Sequence, residues 1–116
     1  MIFTDPSSSL GGISPMATWG ASYAISWEDW QWWYHGKAKA AANIYSGKRI
    51  IQVCIWYTRG GDVISPKPCS NATSNLDTGQ WDPGPEKRTE CTDTLDPFAP
   101  PTVFNFTTVR IDPGIR

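Results

Sequence analysis

The strongest pattern in the chain is the run RIIQVCIWYTR at 49–59, where apolar side chains fall on both parities. Ile51, Val53, Ile55 and Tyr57 occupy the odd positions; Ile50, Gln52, Cys54 and Trp56 occupy the even ones. A strand apolar on both sides belongs in the middle of a sheet, covered on both faces. Before it, Ala38, Ala40, Ala42 and Ile44 alternate with Lys37, Lys39, Ala41, Asn43 and Tyr45, which predicts a strand with one small-residue face, although alanine also favours helix. SGK (46–48) supplies a turn between the two, Gly60–Gly61–Asp62 supplies another, and VIS (63–65) begins a third strand. The expectation is a three-stranded meander over 37–65.

The remaining segments are punctuated by turn residues. Residues 66–91 form a long polar stretch, and KRTECTDT (87–94), overlapping its end, alternates well enough for a short edge strand, which DPFAPP then breaks. TVFNFTTVRI (102–111) is β-branched and aromatic and predicts a final strand, with Phe104 and Phe106 on one face and Val103, Val109 and Ile111 on the other. Residues 1–16, rich in Ser, Gly and Pro, predict an extended arm. The organisation expected is therefore an arm over 1–17 and one domain over 18–116. Its class is all-β, a small antiparallel β-sandwich.

The stretch SWEDWQWWYHG (26–36) fits either period, since Trp27, Trp30 and Trp33 or Tyr34 are spaced helically and Trp30, Trp32 and Tyr34 alternate. Strand is preferred because aromatic side chains favour pleated surfaces and the neighbouring elements are strands. On a strand, Trp30, Trp32 and Tyr34 share one side, and Trp27, Asp29, Gln31 and Trp33 share the other. One side enters the core; the other exposes indole beside hydrogen-bonding groups, which is the chemistry of a sugar or peptide contact. Trp81 stands alone in the polar stretch and either pins it to the core or offers an exposed ring. The candidate contact residues are Trp27, Trp30, Trp32, Trp33, Tyr34 and Trp81.

Composition adjusts this picture. A chain of 116 residues fits one domain with a modest core. The net charge of -1 argues against a nucleic-acid partner. The charge is uneven, -3 over 1–36, +5 over 37–67 and -3 over 68–116, and a basic middle between acidic ends is either a docking patch or ordinary solvation of two strands. No run of about 18 apolar residues predicts a membrane span, and no signal peptide is visible at the start of the chain.

Three cysteines remain to be placed. Cys54 sits in the apolar run, whereas Cys69 and Cys91 lie in polar surroundings, so the expected disulfide is Cys69–Cys91, leaving Cys54 as a buried thiol; an alternative pairing, or a bond to a partner chain, is the sharper reading for Cys54. Such a bond closes a loop of about 20 residues, contributes roughly 3 kcal/mol and places the protein outside the cytoplasm. One histidine, His35, and no CxxC pattern argue against zinc, and no metal or cofactor is expected. Glu28 and Asp29 point opposite ways on a strand and do not converge as a catalytic pair. His35 reads as structural, and the chain reads as a non-enzyme. Asn71 and Asn105 begin N-x-T patterns; Asn71 is the better glycan acceptor.

TWG (18–20), the aromatic stretch ending in YHG (34–36) and GKAKAAANIYSGK (36–48) resemble the lactococcin-type secreted bacteriocins over roughly residues 18–59. The resemblance implies a small antiparallel β-sandwich and a secreted antibacterial protein or toxin subunit; it carries over no functional residue. The cysteines and the Pro-rich second half depart from that pattern. The function expected is a secreted binding or assembly protein that holds a protein partner through its aromatic surface and a strand edge. The runner-up is a carbohydrate-binding module for cell-wall or other glycan built on Trp30, Trp32 and Trp81. A third reading is a viral or phage structural protein.

Overall fold

A computed structural model describes residues 2–4, 16–29, 33–92 and 100–114. They form twelve strands and no helix. These are β1 (Ile2–Thr4), β2 (Met16–Trp19), β3 (Ser22–Asp29), β4 (Trp33–Lys39), β5 (Ile44–Tyr45) and β6 (Lys48–Arg59), followed by β7 (Asp62–Val63), β8 (Cys69–Asn71), β9 (Thr73–Ser74), β10 (Trp81–Asp82), β11 (Lys87–Thr92) and β12 (Thr102–Ile111). The all-β class read from the sequence holds. One sheet runs β1-β12-β6-β5, with β7 and β8 also on β6; a second runs β11-β4-β3-β2; β9 and β10 pair as a separate two-stranded ribbon. Every pairing is antiparallel except β1 with β12, so residues 2–4 of the expected arm lie parallel to Val103–Asn105.

β6 and β12 are the two longest strands and pair along nearly their whole length. Val53, Ile55 and Tyr57 of β6 and Phe104 and Phe106 of β12 point inward and are fully buried. Trp19, Ala24, Tyr34 and Ala38 meet them from the second sheet, with the Trp19 and Phe106 rings 5.2 Å apart and Tyr34 and Tyr57 6.0 Å apart. A register shift at Val109/Arg110 leaves Ile51 as the extra residue opposite them. That bulge turns Ile50 inward, where it is fully buried, although simple alternation groups it with Gln52, Cys54 and Trp56.

The expected meander over 37–65 is corrected in its first strand. β5, β6 and β7 do run antiparallel through tight turns at Ser46–Gly47 and Gly60–Gly61, all four residues at positive φ. Residues 37–39, however, end β4 in the other sheet, and 40–43 cross between the sheets. The small side chains fit a crossing that is buried at Ala40 and Ala42, not a strand face. Its backbone is satisfied by Ser70 Oγ accepting from Ala40 N–H and Ser22 Oγ from Ala41 N–H.

The disulfide is also corrected: Cys54 is bonded to Cys69, and Cys91 is a buried free thiol. Cys54 and Cys69 lie directly opposite in the β6–β8 pairing. Ile55 N–H donates to Pro68 O, so the neighbouring 54/69 pair occupies the non-hydrogen-bonded site, where the two side chains approach most closely. Cys91 sits on the inner face of β11, in the opposite sheet. Polar surroundings in sequence misled the assignment because Cys54, on the outer side of an apolar strand, has a partner only once β8 is laid beside it.

Gly36 shows why the YHG stretch carries a glycine within a strand. A Cβ there would lie 2.8 Å from Phe104 Cε1 and 3.4 Å from Ile55 Cδ1. Gly36→Ala is expected to destabilise by about 1–3 kcal/mol through overpacking, seen as a lower urea midpoint with an unchanged slope.

Candidate functional site

The outer face of the second sheet is built by alternation. With Ser22, Ala24 and Ser26 of β3 and Tyr34, Gly36 and Ala38 of β4 turned inward, Trp27 and Trp33, His35, Lys37 and Lys39 turn outward. Register then sets the rows. Trp27, His35 and Glu90 lie side by side across β3, β4 and β11; Asp29, Trp33 and Thr92 form the next row; Ile25, Lys37 and Arg88 form the one before.

His35 is the hub of this face. Its ring stacks on Trp27 at 5.3 Å with 13° between planes and meets Trp33 at 6.0 Å, 61° apart. Nδ1 lies 3.1 Å from Glu90 Oε1, and Nε2 lies 3.7 Å from Asp29 Oδ2. The imidazole is mostly covered, whereas Asp29 and Glu90 have side chains 70% and 54% exposed. Trp27 and Trp33 are 36% and 38% exposed, well above the buried Trp19.

At the other end of the same face the Lys37 ammonium lies 5.7 Å from the Trp27 ring centre and 5.9 Å from that of Tyr23. Glu86 ties this end together, bonded to the Tyr23 hydroxyl, 2.8 Å from Arg88 and 4.0 Å from Lys37. Burial, and then the Glu86 hydrogen bond, push the Tyr23 phenol up to about 12. The hydrogen bonds from Tyr23 and Arg88 lower the Glu86 carboxyl.

Beneath the face, burial favours the neutral forms of three interior groups. The Tyr57 hydroxyl bonds Ser26 Oγ, and burial raises its pKa against that bond. Tyr34 is raised by burial, then by the charge and hydrogen bond of Glu28. Burial pushes the Cys91 thiol up to about 11, with Arg59 pulling the other way, so at neutral pH it holds almost no nucleophilic thiolate.

Of the candidate contact residues, the structure brings Trp27 and Trp33 together on the solvent face. Tyr34 belongs to the core at 5% exposure. Trp30 and Trp32 lie outside the described residues. Trp81 joins neither group: it packs against the core, with the Arg49 guanidinium 5.3 Å from its ring, and so pins its loop. The two-sided split of the aromatic stretch holds for Trp27, Asp29 and Trp33 against Tyr34, but across a hairpin and not along one strand. His35, Glu90 and Lys37 complete the face without having been candidates. Glu90 reaches His35 from 55 residues away through the β4–β11 register, which no local spacing announces.

Among the described residues no cluster of three or more His, Cys, Asp or Glu could hold a metal, and no helix is long and apolar enough to cross a membrane. What the fold and face define is an all-β protein with an aromatic, charged sheet surface. Comparison with protein families, with curated proteins and with solved structures finds no match to this chain.

Proposed function

We propose that the chain is a secreted, non-enzymatic binding protein that holds a protein partner against the outer face of β3, β4 and β11. One observation carries this reading. Trp27 and Trp33 converge on the solvent side of a sheet whose core is already closed by Trp19, Tyr57, Phe104 and Phe106. These two indoles lie outside that core, and each leaves more than a third of its surface in water, forgoing part of its burial. Exposed tryptophans ringed by charge are what interface hot spots are made of. A protein is favoured over a sugar because the flat surface of Trp27 is taken up by His35 and overlain by the Lys37 ammonium, which limits stacking room for a pyranose. The Cys54–Cys69 bond supports an oxidising compartment.

The test is capture from the secreted fraction of the native source, comparing the wild type with Trp27→Ala/Trp33→Ala. The double variant is expected to keep its far-UV spectrum and urea midpoint and to lose a stoichiometric protein partner by at least tenfold in affinity. Equal capture by both proteins, or retention on insoluble polysaccharide that free sugar displaces, overturns the reading.

A further inference from the structure

The face uses one chemical combination twice and completes it once. At the Tyr23 end, aromatic rings, a carboxylate and a cation are assembled together: Lys37 over Tyr23 and Trp27, with Glu86 and Arg88 beside it. At the Trp33 end, the rings of Trp27 and Trp33 and the carboxylates of Asp29 and Glu90 are in place. Both carboxylates contact the His35 ring, and among the described residues neither shows an ion pair to a lysine or arginine. Register sets these groups side by side, Asp29 opposite Trp33 and Glu90 opposite His35, so two carboxylates flank the rings at this end of the face. Arg59 donates to Thr92 O and to Thr102 Oγ1.

We infer that the Trp33 end binds an arginine side chain of the partner protein, its guanidinium stacked on the exposed indole and paired with Asp29 and Glu90. This rests on the binding-face reading above and names the partner's chemistry. Arginine fits better than lysine because a planar guanidinium stacks on an indole and meets a carboxylate with two parallel hydrogen bonds, whereas an ammonium presents a single strongly hydrated charge. His35 is a positioning residue. Mostly covered, it wedges between the indoles and is held by Glu90, which fixes ring and carboxylate relative to each other before any ligand arrives.

The experiment is an NMR titration of the full chain, following the indole N–H signals assigned through Trp27→Phe and Trp33→Phe. The probe is the blocked peptide Gly-Arg-Gly-Arg-Gly; the same peptide with lysine and a neutral Gly-Leu-Gly-Leu-Gly peptide are the comparisons. The arginine peptide is expected to shift the Trp27 and Trp33 signals saturably. Binding should weaken severalfold with lysine, at least tenfold in Asp29→Asn/Glu90→Gln, and steeply with added salt. Unchanged binding by that variant, or no shift with the arginine peptide, overturns the inference. If the neutral peptide alone moves the two signals, the face binds apolar chain and only the arginine assignment fails. If no peptide moves them while the double-tryptophan variant still loses its native partner, the face again stands and the arginine assignment falls.

Discussion

Trp19→Ala is expected to cost about 3–5 kcal/mol, the largest loss from any single truncation among the described residues. Trp19 ends the short strand β2 at the edge of its sheet, yet it is 1% exposed and is the largest fully buried side chain among the described residues. Its ring packs on Phe106 from the opposite sheet, so one indole ties an edge strand to the longest strand pair. Removing it leaves a void that neighbours held in two hydrogen-bonded sheets cannot close. For a domain of this size the melting temperature should fall by about 4 °C per kcal/mol, or roughly 12–20 °C. Trp33→Ala removes the same side chain from the solvent face and should move stability by less than about 1 kcal/mol. Urea titration of both variants measures the contrast, and comparable losses would mean that the indoles at 27 and 33 help hold the fold and are not reserved for a partner.

That contrast between tryptophans was only half legible in the sequence. Strand class was readable because alternation and β-branched composition are local properties, and they identified β6, β11 and β12 closely. The grouping of Phe104 and Phe106 on one face of β12 followed from the same rule; which face turns inward did not. Two kinds of information were not local. One is which sheet a strand joins. Alanines at 38, 40 and 42 look like a strand face, but the chain leaves one sheet at Lys39 and enters the other at Ile44, and small residues suit a buried crossing as well as a strand. The other is cross-strand register. The site depends on His35 lying between Trp27 and Glu90, and the bulge opposite Val109 and Arg110 depends on where the strands β6 and β12 fall out of step. Neither leaves a spacing in the chain.

The cysteines show the cost of reading partners from local polarity, and they carry the second large effect. Replacing Cys54 and Cys69 together by alanine is expected to lower stability by about 3 kcal/mol, the chain-entropy value for a cross-link spanning 15 residues. Cys91→Ala should cost only about 1 kcal/mol, the loss of a small buried group. The same two sets of variants separate the pairings covalently. With Cys54 bonded to Cys69, a non-reducing digest yields a linked peptide from β6 and β8, and Cys91→Ala leaves that peptide intact. Native Cys91 should resist alkylation at pH 8: a thiol pushed to about 11 is roughly one part in a thousand thiolate there, and the side chain is buried besides. In denaturant it should react at the rate of an ordinary cysteine, so one thiol per chain appears only on unfolding. A linked peptide joining 69 to 91 would overturn the assignment. Such a bond would have to join the outer face of one sheet to the inner face of the other, across a core that Tyr57 and Phe104 already fill.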